Sequence, residues 1–520
     1  MRVHGIAVVF IAVILTFNAT GQGNPVQQGM VYFQKEDYAS ALRMFETARR
    51  TLPNSAMLEN LIGITHTKLG QIADANASYR KAIQLDPAFE AAYKNLGFNL
   101  LNQGEYARAI EELQSAVSKD STDAFAHYYL AVALLKNGQE REAIAQLGLS
   151  EQLIENDADT ASAMATACLR AGDKEDAVRL IRAVEQKSGF TLSQEYALAV
   201  ALNADGLYQD SAWLFEHMLK LQPGSWVRKF DLAIAWFDAG DMDKALPILQ
   251  TLATERPDDE RILSLLGAVY EAKGNVHAAL ETYQKAVAVD PKDTNVYLDY
   301  TRLLMDVDRY DDAANLIEKG LQNTQDTYAL QMRLGAIEMM KGNWEQARQS
   351  FEQAIQQNPN LAVGYIGLAK TYMKSGDDAA AEKLLADARA KLPRDFALEY
   401  VYGLVCSEMG ESDKAIEALK NAQQMSPNVV EPHYQLGKVY MDMGQLTEAR
   451  KEWERTIALD PNHVQAHVQL CKIYAKQGDM SKARALQAEA SELINRERNA
   501  ALAAERARMR AALAPEDDSR

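Results

Sequence analysis

The chain repeats itself every 34 residues, and this period constrains the fold more than any other feature of the sequence. One series of small residues shows the period without interruption: Gly29, Gly63, Gly97, Ala131, Ala165, Ala199, Ala233, Gly267, Thr301, Gly335, Ala369, Gly403, Gly437 and Cys471. The series has fourteen members, so we expect fourteen units of equal length. Repeats of this size are typical of solenoids, which grow by stacking and do not enclose one central core.

Further series in the same phase predict that each unit is a hairpin of two helices. Glycine stands seven residues after the small residue from Gly70 onwards and is replaced only by Glu36 and Asp308, which fits a bend between helices. Alanine recurs from Ala41 onwards, with Ser211 as the one exception, so two helices must approach closely there. Apolar residues follow helical spacing within each half, and no strand-like alternation persists. The sequence predicts an all-α fold.

A resemblance to a known repeat family rests on the third unit and on short closures between units. The residues that carry it are Tyr93 to Gly97, Gly104, Ala109 and Ala116, with Asp-Pro closures at Asp86-Pro87 and Asp460-Pro461. In this combination the chain resembles the tetratricopeptide repeat family over residues 22 to about 497. The resemblance implies a right-handed α-solenoid of about 14 helix-turn-helix repeats, with a concave face lined by the first helix of each unit.

The array is irregular in two stretches. No proline closes the units around residues 155–189, and the small residue, the bend glycine and the proline are all replaced around 301–325. Either sequence drift or a local change of curvature explains these departures.

The ends of the chain indicate three regions. Residues 1–21 combine a positive Arg2, the apolar run Ile6 to Phe17 and small residues up to Gly21, which is typical of a cleavable signal peptide. Residues 22–497 form the repeat array, and residues 498–520 are expected to form a solvating helix and a polar tail. The alternative for the first region is an uncleaved anchor, although the run is shorter than a bilayer-spanning helix needs. We expect an exported protein, periplasmic or secreted, with no membrane span after cleavage.

Charge and cysteine content narrow the function classes. The chain carries 55 Lys and Arg against 72 Asp and Glu, a net charge of -17, which repels nucleic acid. Its three cysteines, Cys168, Cys406 and Cys471, are too few and too far apart for a disulfide framework.

Motifs for catalysis are absent from the sequence. The chain contains no phosphate-binding glycine loop, no His-Glu-x-x-His, no Gly-x-Ser-x-Gly and no Cys-x-x-Cys. We therefore expect no enzyme activity, no catalytic residues and no cofactor.

One constellation contains residue types that bind metals. His463, His467 and Cys471 lie at i, i+4 and i+8 of one predicted helix. However, His467 shares its repeat position with Tyr93 and His127, and three ligands spread over two helical turns converge poorly on one ion. We interpret His467 and Cys471 as packing residues and predict no metal site.

The resemblance places a binding surface on the first helices, where two sets of residues are candidates. Aromatic anchors in the first half are Phe125, Tyr128, Tyr196, Phe230 and Phe237. In the second half, methionines recur at one phase with two neighbours, and lysines lie beside them: Met305, Met332, Met339, Met340, Met373, Met441, Lys370, Lys374 and Lys438. Methionine tolerates apolar ligands of varied shape, and the lysines favour acidic ones. Ordinary packing between helices is the alternative for both sets.

These observations favour an exported, non-enzymatic scaffold that holds a protein or peptide segment in its groove, within an envelope assembly or an export complex. The alternative is a rigid spacer or self-assembling element whose groove is empty. Both functions fit the fold, because repeat families share an architecture and not a reaction.

Overall fold

The structure is a computed structural model in which residues 24–187 and 189–513 are described. The predicted signal segment, residues 1–21, lies outside the described residues, as does the tail from residue 514 onwards. Every regular element among the described residues is an α-helix, which confirms the predicted all-α fold class. The chain divides into two compact units at the peptide bond between Thr254 and Glu255.

The helices of the first unit pair into hairpins in chain order. They are α1 (Pro25–Gln34), α2 (Tyr38–Thr51), α3 (Ala56–Lys68), α4 (Ile72–Leu85), α5 (Glu90–Asn102), α6 (Tyr106–Lys119), α7 (Ala124–Lys136), α8 (Glu140–Ile144), α9 (Leu147–Ile154), α10 (Ala158–Ala171), α11 (Lys174–Lys187), α12 (Leu192–Ala204), α13 (Tyr208–Leu221), α14 (Trp226–Asp238) and α15 (Met242–Glu255).

The second unit continues the same pairing. Its helices are α16 (Glu260–Ala272), α17 (Val276–Val289), α18 (Thr294–Asp306), α19 (Tyr310–Asn323), α20 (Tyr328–Lys341), α21 (Trp344–Gln357), α22 (Ala362–Lys374), α23 (Asp378–Lys391), α24 (Phe396–Glu408), α25 (Ser412–Met425), α26 (Val430–Asp442), α27 (Leu446–Leu459), α28 (Val464–Lys476) and α29 (Met480–Leu513).

The bend inside each hairpin needs one residue in the left-handed backbone region. Glycine adopts this conformation from Gly70 to Gly478, and the two exceptions to glycine do so as well, Glu36 with φ 58° and Asp308 with φ 59°. Left-handed backbone costs a residue with a Cβ free energy that glycine does not lose. The predicted bend positions are therefore confirmed in all fourteen hairpins.

Close contact between the two helices of a hairpin explains the small-residue series. A Cβ placed on Gly63 would lie 2.5 Å from the Tyr79 ring, and one on Gly97 would lie 2.5 Å from Leu113. The alanine series fits the same contact, since Ala245 is fully buried. Each large side chain of a second helix thus packs onto the small residue of its own first helix.

The fourth hairpin departs from this pattern. Its second helix is divided into α8 and α9 by a turn at Ala145 and Gln146. This break precedes the irregular stretch that the sequence indicates at residues 155–189. A contact from the first helix stabilises the turn, because His127 Nδ1 lies 2.7 Å from Gln146 Oε1.

The last hairpin ends in a helix of 34 residues, α29, which extends past the predicted end of the array at residue 497. Its first turns pack against α28, with Ala483 and Ala490 each 3% exposed. Most side chains from Ser491 to Asn499 are exposed to solvent.

First helices of neighbouring hairpins contact one another directly within each unit, as α5 does with α7 and α20 with α22. Among the described residues, no comparable contact joins the second helices of consecutive hairpins. The first helices therefore lie closer together than the second ones. We call the surface formed by their exposed side chains the first-helix face.

Candidate functional site

An aromatic cluster lies on the first-helix face of the first unit. The ring of Tyr129 lies 4.8 Å from that of Phe98, 5.5 Å from Tyr128 and 6.3 Å from Phe125, measured between centroids. Two of these residues, Phe125 and Tyr128, are candidates from the sequence, and the structure brings them together through Tyr129. Tyr129 and Phe98 are not among the sequence candidates, although Tyr129 follows Tyr128 directly on α7.

Both tyrosines of this cluster have raised pKa values, and Tyr128 acts as a hydrogen-bond donor. Tyr128 donates its hydroxyl hydrogen to Asp157 Oδ2 at 2.7 Å, and burial followed by the Asp157 carboxylate raises the pKa of Tyr128. Burial raises the pKa of Tyr129 to about 12. Both phenols are therefore protonated at neutral pH. Beside the cluster, Lys94 forms an ion pair with Asp123.

The other aromatic candidates of the first unit lie further along the chain and are not part of this cluster. Tyr196 is 38% exposed, and its ring packs edge-on against Phe215 with centroids 6.0 Å apart. Phe230 and Phe237 are half-buried on α14. Val200, on the same helix as Tyr196, is 47% exposed, so apolar surface is accessible here too.

An open depression of about 400 Å³ is formed by the first helices α18, α20 and α22 of the second unit. It is lined by Leu298, Met305, Tyr328, Ala329, Met332, Arg333, Ala336 and Val363. Met305 and Met332 are candidates from the sequence, and the structure places both in one apolar depression. The periodic methionine signal does not reveal the remaining lining residues.

Arg333 is the charged group of this depression. It is half-buried, and its Nη1 donates a hydrogen bond to the sulfur of Met305 at 3.9 Å. Among the described residues, no carboxylate forms an ion pair with Arg333, whereas its neighbour Arg302 is paired with Glu271. Burial, followed by the charge of Arg302, lowers the pKa of Arg333. The guanidinium still carries its charge at neutral pH, because an arginine pKa starts above about 12.

The remaining methionines occupy other environments. Met339 and Met373 are half-buried and pack against the cores of their hairpins, and Met441 does the same on α26. Met332, which lines the depression, also packs against the same core as Met339. The sulfur of Met339 accepts a hydrogen bond from the Thr371 hydroxyl at 3.8 Å. Met340, in contrast, is 60% exposed.

The candidate lysines of the second unit, Lys370, Lys374 and Lys438, are exposed on the first helices α22 and α26. They add positive charge to the first-helix face of this unit. Arg333 and these lysines have the same sign although the whole chain is acidic.

The burial of His467 agrees with the packing role predicted for it, whereas His463 caps a helix. His463 caps α28, with Nδ1 accepting the backbone N–H of Ala466 at 3.2 Å, and His467 is 3% exposed. The described residues bring three possible metal ligands together at two places, and neither place includes His463, His467 or Cys471.

Comparison with protein families identifies the repeat. Family models described as "Tetratricopeptide repeat" match residues 158–183, 221–365 and 338–402, and one described as "TPR repeat" matches 63–104, 99–138, 403–444 and 437–478. The chain belongs to the tetratricopeptide repeat family. This confirms the resemblance inferred from the residues of the third repeat.

Curated relatives match parts of this tetratricopeptide array. The human protein O-mannosyl-transferase TMTC1 is 28% identical over 171 residues, which are 32% of this chain and 19% of the relative. The peroxisomal targeting signal receptor of Saccharomyces cerevisiae is 30% identical over 76 residues, which are 15% of this chain and 12% of the receptor. The chain thus spans less than a fifth of the length of either relative.

Among solved structures, yeast Tom70 matches 95% of this chain and 96% of its own, with 18% identity and a TM-score of 0.39. At that score the likeness says nothing about overall shape or function. No helix of the described tetratricopeptide array is long and apolar enough to cross a membrane.

Proposed function

We propose that this tetratricopeptide protein is an exported, non-enzymatic scaffold that binds a polypeptide segment on the first-helix face of its second unit. The observation that carries the proposal is the depression between α18, α20 and α22, where apolar side chains surround a guanidinium without a carboxylate partner. An apolar hollow that contains a small number of polar groups is the usual composition of a binding site.

The chemistry of the depression specifies the ligand class. Met305 and Met332 are flexible and polarizable, so they adapt to apolar side chains of different shape. Arg333 presents a planar fork of donors that matches a carboxylate. We infer a segment that places an apolar side chain in the depression and an acidic side chain or a C-terminal carboxylate on Arg333. The exposed Lys370 and Lys374 extend the preference for acidic segments along α22.

The name of the yeast relative supports a role in binding polypeptides, since that protein is described as a receptor for a targeting signal. The matched region is short, and the ligand of this chain follows from its own residues. An envelope assembly or an export complex is the setting we propose, because the first residues have the pattern of a signal peptide.

Affinity capture from the organism's envelope fraction tests the binding surface. The full-length protein is compared with Met332→Glu and Arg333→Glu, and with Met425→Glu as a matched control, because Met425 is 39% exposed at the end of a second helix. We expect both first-helix variants to lose a stoichiometric partner that the control retains, with equal helix content by circular dichroism. Capture that is unchanged in both variants, or self-association alone, would reject the proposal in favour of a spacer.

Export has its own test. N-terminal sequencing of the protein from its native cells should begin at or near Gln22. Recovery of intact Met1 in the cytosol would show that the segment is not cleaved.

A further inference from the structure

We propose that Glu185, Glu195 and His217 bind one divalent transition-metal cation in the first unit. Glu185 lies near the end of α11, Glu195 in the first turn of α12 and His217 on α13. His217 Nδ1 lies 3.0 Å from Glu195 Oε1 and 3.5 Å from Glu185 Oε2. Three helices thus direct one potential ligand atom each to a single point.

The carboxylates of this cluster are buried without sufficient positive charge. The side chain of Glu195 is 1% exposed and that of Glu185 is 4% exposed. One oxygen of each, Oε2 in both cases, is buried without any hydrogen-bond partner. Two buried carboxylates repel each other, and one imidazole does not balance two negative charges. Among the described residues, no lysine or arginine forms an ion pair with either carboxylate.

The second repeat shows how the array neutralises a buried glutamate at this repeat position, although Glu59 Oε2 also lacks a hydrogen-bond partner. Glu59 is 1% exposed and occupies the position of Glu195 four repeats earlier. Its carboxylate is paired with Arg49, ten residues before it, and with Lys81, 22 residues after it. Two cations therefore surround one carboxylate.

The twelfth repeat gives an independent second case. Glu399, again at the same repeat position, is 6% exposed. Arg389, ten residues before it, donates to both of its oxygens at 3.0 and 2.8 Å, and Asn421, 22 residues after it, donates at 3.2 Å. An arginine at the position ten residues upstream thus neutralises the buried glutamate in both repeats.

The sixth repeat keeps the glutamate but reverses the charge of its upstream partner. Glu185 stands where the other two repeats have Arg49 and Arg389, and His217 stands where they have Lys81 and Asn421. Substituting an acid for an arginine beside a buried acid is costly unless another cation takes the place of the guanidinium. This comparison of equivalent positions is what points to a bound ion.

The geometry and the donor set suit a metal such as zinc. In a tetrahedral site with bonds of about 2.1 Å, neighbouring ligand atoms lie about 3.4 Å apart, close to the 3.5 Å between His217 Nδ1 and Glu185 Oε2. His217 Nδ1 also forms a 3.0 Å hydrogen bond with Glu195 Oε1, and an ion would take the place of the proton in that bond. Phe190 donates its backbone N–H to Glu185 Oε1 at 3.0 Å, which orients the carboxylate and leaves Oε2 for the ion. His217 is 35% exposed, so an ion and a completing water can enter from solvent.

A second cluster of possible metal ligands consists of Glu382, Cys406 and Glu411. It differs from the first because a lysine neutralises its carboxylates. Lys414 bridges both of its carboxylates, at 2.9 Å from Glu382 and 2.8 Å from Glu411. This cluster contains its own cation and serves as a control.

Calorimetric titration of the full-length, chelator-stripped protein with ZnCl₂ tests the site. We expect the wild type to bind zinc with micromolar or tighter affinity, and Glu195→Gln and His217→Ala to bind it at least about a hundredfold more weakly, since each removes a ligand. Cys406→Ser and His463→Ala should bind zinc like the wild type.

Glu185→Arg separates loss of the site from loss of the fold. It restores the arginine–glutamate pair of the second and twelfth repeats, so we expect it to fold with wild-type helix content, to be more stable than the metal-free wild type and to lose the zinc response. Absence of zinc binding by the wild type, or zinc binding that persists in Glu185→Arg and Glu195→Gln, would overturn the proposal. In that case we would conclude that the two buried carboxylates share a proton and bind no metal ion.

Discussion

At the residue scale, the tightest steric requirement lies where a first helix carries glycine opposite a large side chain. Gly63→Ala would place a Cβ 2.5 Å from the Tyr79 ring. We expect this change to lower the free energy of unfolding by about 1–3 kcal/mol through overpacking, although alanine favours helix by about 1 kcal/mol. Urea denaturation measures the change.

Gly148→Ala is the matched control for that substitution. Gly148 also lies in a helix, but nothing stands within 4 Å of the position of its Cβ. Here we expect stabilisation by about 0.5–1 kcal/mol, because the propensity gain is not opposed by a clash. Equal effects of the two substitutions would show that the small-residue series does not mark a close contact.

Glu90 makes stability depend on pH. Burial raises its pKa to about 7 from the ordinary value of 4.5, against the opposing charge of Lys94, and Asp123 raises it further. The folded protein therefore holds the Glu90 proton more strongly than the unfolded chain does. The contribution of Glu90 to stability is complete below pH 4.5 and is lost as the pH rises towards 7. Glu90→Gln should remove this part of the slope in thermal unfolding measured between those values. A slope identical to that of the wild type would contradict the assignment.

Single residues whose role recurs with the period can be predicted from the sequence, as the small residues opposite Tyr79 and Leu113 show. The unpaired state of Arg333 and the charge conflict between Glu185 and Glu195 cannot be predicted from local pattern, because each depends on the partners that other helices supply. The conflict between Glu185 and Glu195 could be found in the sequence only by comparing equivalent repeat positions, such as Glu59, Glu195 and Glu399.

At the element scale, each hairpin depends on the left-handed residue at its bend. Asp308 has φ 59° at the bend position where twelve other hairpins have glycine. Asp308→Gly should stabilise the protein by about 1 kcal/mol, because glycine adopts this backbone without the cost that a Cβ imposes. Gly342→Ala, at φ 79° in the next bend, is the reverse change and should destabilise it. Thermal unfolding of both variants measures the two shifts, and shifts of the same sign would contradict the assignment.

The elements themselves are largely predictable from the sequence, since bends, helix contacts and closures all repeat with one period. The break in the second helix of the fourth hairpin cannot be predicted in this way, because neither Ala145 nor Gln146 is a proline or a glycine. The turn is stabilised by His127 from another helix and by Ser150, whose hydroxyl donates to the Gln146 carbonyl at 2.7 Å. The contact from His127 is tertiary, and contacts of that kind override local helix preference.

At the scale of the whole molecule, the repeat period predicts a stack of hairpins but does not predict a ligand. Periodicity indicates a row of four methionines, whereas the structure gives Met305 a place in the depression and packs Met339 and Met373 against hairpin cores. Phase alone does not distinguish these environments, because curvature and neighbouring side chains decide which residues of one phase face solvent. The apolar depression therefore contains fewer of the candidate methionines than the periodicity indicates.

Site-specific photocrosslinking in the native cell tests the central claim most directly. A photoreactive side chain at position 332 on the first-helix face is compared with one at position 425 on a second helix, both in the full-length protein. The scaffold account predicts a discrete polypeptide adduct at Met332 that is lost when Arg333 is changed to Glu, and no such adduct at Met425. Adducts of equal yield at both positions, or none at Met332, would contradict it.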